Sequence, residues 1–290
     1  MVRIVPILGF LVISQLAFGQ ADYKKFYDDD KLPPVRELFL KGRYTIVIQQ
    51  CDYAQRRGQP SPEWRTLKMK SLAMLGRYED AKTEADGTAI QFSENLPALL
   101  DVFEIYRITG EEEKNTEIFG LINKAASAVP VKDRTALDWV NLGKAALILG
   151  ADPAVVLENY YTPAKRVKKK GKTAPPGLIE AHQASGELAL AKSDFKMAAN
   201  EFSAALKLEP NHPDIRFGLA QAFLPDNRKR GVEELDKVLD IHSFHFGALL
   251  KKAEFSINFE QYHDAFATLK VIHGVNPKLP AAWALMAVLA

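Results

Sequence analysis

The side chains of this 290-residue chain best suited to metal or acid–base chemistry are its six histidines, all in the second half: His182, His212, His242, His245, His263 and His273. The run His242-Ser243-Phe244-His245, with Asp240 just before it, offers two nitrogen ligands and one oxygen at close spacing. A zinc site needs three or four convergent ligands, and this run spans the junction between two helical segments, so no metal is expected. His182, among Ile179, Ala181 and Ala184, reads as a packed core histidine. The H-E-x-x-H of zinc peptidases is absent, as are G-x-S-x-G, a P-loop and G-x-G-x-x-G, which leaves hydrolytic, nucleotide and dinucleotide chemistry without carriers. Asp28-Asp29-Asp30 lacks the alternation and glycine of a calcium loop. The single cysteine, Cys51, cannot close an intrachain disulfide and reads as a small buried hydrophobe. No catalytic residue and no cofactor follow from these patterns.

Charge gives one further candidate. Lys165, Arg166, Lys168, Lys169, Lys170 and Lys172 crowd into eight positions ahead of the breaker-rich Thr173-Ala174-Pro175-Pro176-Gly177. Such a stretch closes a helix and forms an exposed loop, open either to an anionic ligand or simply to solvent. With no aromatics interleaved, the solvated loop is the simpler expectation. Across the whole chain 38 basic and 36 acidic side chains nearly cancel. That balance supplies no general drive toward nucleic acid or an anionic membrane.

The N-terminus is organised differently from the rest. Met1-Val2-Arg3 is followed by an almost wholly apolar run from Ile4 to Phe18, and Ala17-Phe18-Gly19 has small-x-small spacing. The run is shorter than the ~20 residues a membrane-spanning helix requires, so residues 1–19 read as a signal peptide cleaved near Gly19. The expected mature chain is exported, periplasmic or extracellular, and has no transmembrane segment. Cleavage removes Arg3 and leaves 37 basic against 36 acidic groups.

The elements that follow are helical and repeat. Counted from Ile179, Gly186 is position 8, Phe195 position 17, Ala198 position 20, Phe202 position 24, Ala205 position 27 and Pro210 position 32. Small residues at 8, 20 and 27 allow two antiparallel helices to approach to roughly 8–10 Å. A large apolar residue at 24 fills the space between one hairpin and the next, and proline at 32 ends the second helix. The closing residues Pro210, Ser243 and Pro277 then recur 33 and 34 positions apart. Upstream, Trp139-Val140-Asn141-Leu142-Gly143 opens another unit, and Gly42-Arg43-Tyr44 and Gly76-Arg77-Tyr78 mark turns between paired helices. No alternating β-branched run argues for a sheet.

These residues resemble the tetratricopeptide repeat family, whose 34-residue units carry W-x2-L-G-x2-Y, A-x3-F and a closing proline. The resemblance is strong from residue 177 onward and looser before 130. It implies an all-α, right-handed solenoid of antiparallel helix hairpins, about seven repeats plus a partial one. The domain order expected is a signal peptide over 1–19, an N-terminal segment over 20–33 and the solenoid over 34–290, with the clearest repeats at 179–212, 213–244 and 246–279. In that family first helices line a concave groove that holds a partner segment. Carried over repeat by repeat, the resemblance places Val140, Lys144 and Leu147 in the groove, then Glu180, Gln183 and Glu187, then Asp214, Phe217 and Gln221, then Leu250 and Glu254. The Lys-Asn-Arg clamp for a C-terminal carboxylate is missing, since Gln183, Phe217 and Leu250 occupy its first position.

The expected function is a non-enzymatic scaffold that binds a protein or peptide partner. Met286, Val288 and Leu289 would be left partly bare on a first helix without its mate, which fits a polypeptide continuing past Ala290. Two other expectations stand beside the scaffold. One is the repeat arm of a larger exported, metallopeptidase-like hydrolase whose catalytic domain lies beyond residue 290. The other is a polyanion or cell-wall-binding module acting through residues 165–172.

Overall fold

The structure, a computed structural model, describes residues 32–58, 61–167 and 174–290. The signal-peptide reading of residues 1–19, and Lys168, Lys169, Lys170 and Lys172 of the basic stretch, lie outside the described residues. All regular structure among the described residues is helical, and the helices pair into successive hairpins, each with a first helix A and a second helix B. The first hairpin joins Leu32–Leu40 to Tyr44–Arg56, the second Pro62–Met74 to Tyr78–Gln91, and the third Leu96–Thr109 to Glu112–Ala128. The fourth pairs Ala136–Ile148 with a broken B helix, built from Pro153–Val156, a π-helical Leu157–Tyr161 and Thr162–Lys165. The fifth is Leu178–Ala191 with Phe195–Leu208, the sixth Pro213–Phe223 with Arg228–Ile241, and the seventh Phe246–Asn258 with Tyr262–Val275. A further A helix, Pro280–Val288, follows.

Local chemistry sets these starts. Proline stands in the first turn at Pro62, Pro97, Pro153, Pro213 and Pro280, where a missing amide hydrogen costs nothing. Ser61, Asn95, Asp194 and Asn227 each accept from an amide of the first turn, and Thr135 with Asp138 forms a reciprocal capping box. Two of the histidines serve the same purpose. His212 Nδ1 accepts from Ile215 N at 3.4 Å, and His245 Nδ1 accepts from Ala248 N at 3.1 Å, one repeat later.

Packing follows the size pattern of the sequence. Phe202 is buried, and its ring fills the space left by two glycines. A Cβ on Gly186 of the same hairpin would lie 2.8 Å from its Cζ, and one on Gly218 of the next hairpin 2.4 Å. A knob of this kind needs a small residue on both helices it separates, because interiors are packed close to crystal density. In the fourth hairpin Tyr161 plays the same part, since a Cβ on Gly143 would lie 2.4 Å from its Cε1. The π-helical turn that ends at Tyr161 inserts an extra residue where the repeat register slips between Trp139 and Ile179.

Polar struts brace three hairpins internally. Arg65 meets Glu84, His182 meets Glu201 and Arg216 meets Glu234, each at 2.7 Å and each from helix A to helix B, 18 or 19 residues apart. His182 is therefore a hydrogen-bonded, half-buried partner of a carboxylate rather than a residue packed only among apolar neighbours. Burial raises the Glu201 carboxyl, but hydrogen bonds from His182 and Lys165 outweigh it and hold it below the usual range. Cys51 is fully buried, and that burial pushes its thiol up to about 12, which leaves it unreactive.

The solenoid also touches itself. Tyr44 Oη lies 3.2 Å from His242 Nε2, and Asn276 Nδ2 donates to Tyr78 Oη at 3.1 Å and to Ala73 O at 3.3 Å. The first two hairpins thus meet the sixth and seventh, and Met74 packs into the apolar cluster around Phe246, Leu249 and Leu269.

Candidate functional site: a concave pocket on the first helices

A pocket of about 540 Å³ opens on the face made by successive A helices. Lys70 enters it from the second hairpin; Pro97, Leu100, Asp101, Phe103 and Glu104 from the third; Asn141, Lys144, Leu147 and Ile148 from the fourth; Glu187 from the fifth. Every lining residue belongs to an A helix, so the pocket lies wholly on the face made by the A helices. Its volume lies within the roughly 300–1,000 Å³ of ligand-sized clefts. A smaller cavity of about 390 Å³ adjoins it, and Pro97 and Asn141 line both.

Helix geometry delivers these side chains. Asn95 caps the third A helix through Ala98 N at 3.0 Å, and this fixes the rotation that turns Leu100, Asp101 and Glu104 into the cleft. The Thr135–Asp138 capping box does the same for Asn141 and Lys144. The floor is apolar, from Leu100, Phe103, Leu147 and Ile148, and the rim is charged. Lys70 pairs with Asp101 at 2.5 Å across two hairpins. Arg107 holds Glu104 with two nitrogens, and Gln183 Nε2 donates to Glu187 at 2.8 Å. Among the described residues no carboxylate lies in ion-pair contact with Lys144, which is exposed. An apolar floor with an unpaired cation and tethered carboxylates at its edge suits an amphipathic segment of another chain. It holds no arrangement of nucleophile, base and orienting group.

The residues carried over from the sequence pattern spread along the whole face. Lys144, Leu147 and Glu187 line the pocket. Val140 is 1% exposed and packs in the core with Tyr161 and Ala181, beneath the face. Glu180 is exposed beyond the pocket. Asp214 accepts from His245 Nε2 at 3.0 Å with its side chain 53% exposed; the protein packed around it raises the carboxyl only partly, and that bond and the nearby imidazoles prevail and lower it. Phe217 is half-buried, its ring 5.0 Å from that of His245 and against the backbone of Gly247. Gln221 is half-buried, Leu250 packs on the seventh-hairpin core, and Glu254 pairs with Lys251.

Elsewhere Lys165 ends a helix, its ammonium 2.6 Å from Glu201, and is no free member of a basic loop; Arg166 is exposed. His245 uses both ring nitrogens, and among the described residues no three His, Cys, Asp or Glu side chains converge as a metal site. No described helix is long and apolar enough to cross a membrane.

The pocket residues missed in the sequence, Lys70, Pro97, Leu100, Asp101, Phe103, Glu104, Asn141 and Ile148, come mostly from repeats whose signature positions are degenerate. The signal available was Asn95 with Pro97, a cap and a first-turn proline that fix where the third A helix begins.

A tetratricopeptide repeat protein from Parabacteroides merdae ATCC 43184 superposes with a TM-score of 0.53, at 12% identity, over 91% of this chain and 99% of that one. The fold is that of the tetratricopeptide repeat proteins. The Cut9 and Hcn1 hetero-tetramer of APC/C contains a chain similar to this repeat protein at a TM-score of 0.49 and 14% identity, covering 88% of this chain and 48% of that one. PilW, a type IV pilus biogenesis factor, gives 0.48 and 17%, covering 85% and 98%. In sequence, the repeat protein is 32% identical over 121 residues to cellulose synthase operon protein C of Pseudomonas fluorescens (strain SBW25). That stretch is 41% of this chain and 9% of the relative. No protein-family model matches the chain.

Proposed function

We propose that this repeat protein is a non-enzymatic scaffold that holds a segment of a partner protein on its concave face, with the pocket between the second and fifth hairpins as the principal contact. One observation carries the reading. A cleft with an apolar floor and a charged rim is assembled wholly from A helices of four consecutive hairpins. Hot spots of protein interfaces concentrate in such desolvated central positions, ringed by polar contacts that exclude water. The groove residues further along, from Glu180 to Glu254, would then guide the flanks of the segment. The test is capture of the partner by wild type and by Leu100→Asp and Lys144→Glu variants, with calorimetry on the recovered partner. Capture by folded variants equal to wild type would reject the pocket as the contact.

The same proposal sets the protein outside the cytoplasm, after removal of residues 1–19. Its support is the basic start, the short apolar run and the small-x-small step at Ala17-Phe18-Gly19. N-terminal sequencing of the protein recovered from cell fractions checks this. A chain still beginning at Met1, found with the cytosol, would overturn it.

A further inference from the structure

The two self-contacts of the solenoid are the same contact made twice. Tyr44 and Tyr78 are each the first residue of a B helix, and each follows a Gly-Arg pair. Their partners, His242 and Asn276, are the residues that end the B helices of the sixth and seventh hairpins. Both pairs are separated by 198 residues. The glycines make the approach possible. Gly42 and Gly76 have φ of +72° and +70°, and a Cβ would lie 2.1 Å from His242 Nε2 and 2.4 Å from Asn276 Oδ1 respectively. The turn edge of one coil thus rests on the helix-end edge of the coil five hairpins later, forming a seam with two rungs.

The rungs differ in one property. Asn276 has no proton equilibrium near neutral pH, whereas His242 does. His242 is 3% exposed and Tyr44 4%. The groups facing the imidazole are the Tyr44 hydroxyl from the first hairpin, the His245 ring from its own turn, with centroids 5.6 Å apart, and the Asp214 carboxylate from the sixth A helix. Asp214 is already engaged by His245 Nε2. His242 Nδ1 is buried without a hydrogen-bond partner among the described residues. The neutral ring tolerates this, but an imidazolium would bury a charged donor with no acceptor.

We propose that the first rung of the seam is a proton-operated latch: protonating His242 releases the first hairpin from the sixth, while the Asn276 rung and each hairpin stay formed. Burial, then the neighbouring His245, push His242 down to about 4, against the upward pull of Asp214. The sign follows. A histidine whose value is lowered in the closed state holds the latch shut above its ordinary value near 6.5, and the hold is lost as pH falls toward about 4. Between pH 7 and pH 4.5 the open-to-closed ratio rises by on the order of 10².

Small-angle scattering and the His242 ring resonances, followed on the same samples of the full chain from pH 7 to pH 4.5, test the latch. The expected result is a reversible rise in the radius of gyration in step with His242 titration, at constant far-ultraviolet helical signal. A constant radius while His242 titrates would overturn the proposal, as would expansion accompanied by loss of helix. His242→Gln should no longer respond to pH over this range, whether it rests closed or open. Opening of that variant at the wild-type pH would overturn it too, by assigning the response to other groups. Gly42→Ala, which drives a methyl group into the imidazole, should give the expanded radius at pH 7 with helices intact.

Discussion

Lys165 and Glu201 form a 2.6 Å ion pair, at 19% and 16% side-chain exposure, that ties the broken fourth hairpin to the fifth. The same carboxylate takes His182 Nδ1 at 2.7 Å, so one acid satisfies two basic groups from different hairpins. Glu201→Ala leaves both without their acceptor inside a partly dry interface. The expected loss of stability is ~1–3 kcal/mol, read as a lower denaturant midpoint with an unchanged slope. Because the Glu201 carboxyl is held below its ordinary value in the folded chain, its contribution is present above that ordinary value and disappears as pH falls through the lowered one. The stability difference between wild type and Glu201→Ala should therefore shrink in acid.

Gly143 faces Tyr161 with no room for a methyl group, its Cβ position 2.4 Å from Cε1 and 3.0 Å from Tyr160 Cβ. Gly143→Ala should cost ~1–3 kcal/mol by forcing the two helices apart. Adding Tyr161→Leu should recover part of that loss, as thermal unfolding of both variants would show. A Gly143→Ala protein as stable as wild type would contradict the knob-and-glycine packing of the fourth hairpin.

Phe217 rests on Gly247 and the His245 ring and is half-buried. Phe217→Ala should lower stability by about 2 kcal/mol, short of a fully buried phenylalanine, and leave the helical signal largely intact. Chemical denaturation monitored by circular dichroism measures it.

How far the sequence carries can be judged at particular residues. Phe202, Gly186 and Ala198 announce a helix hairpin by size alone, because close packing tolerates few substitutes there. The seam was written in Gly42-Arg43-Tyr44 and Gly76-Arg77-Tyr78, but a turn marker and a docking surface have the same local spelling. Only the rotation accumulated over five hairpins brings His242 to Tyr44, and no local pattern encodes that sum. Lys144 and Glu187 were legible as residues of the A-helix face because their repeats keep register. Asp101 and Glu104 were not, since the third repeat lacks the tryptophan and alanine steps that set the count. The run from Lys165 read as a basic loop because Glu201, its partner, lies 36 residues away in the chain.

The central claim is that the pocket on the A helices holds a partner segment, and site-specific photo-crosslinking tests it most directly. A benzoylphenylalanine placed at Glu187, exposed on the pocket rim, is compared with one at Glu233, exposed on a B helix of the sixth hairpin. The expected result is a discrete crosslinked partner from position 187 and none from 233. Adding Lys144→Glu should reduce that crosslink about tenfold, equivalent to ~1.4 kcal/mol of lost affinity. The same partner crosslinked equally from both positions, or a yield from 187 indifferent to Lys144→Glu, would contradict binding on the concave face.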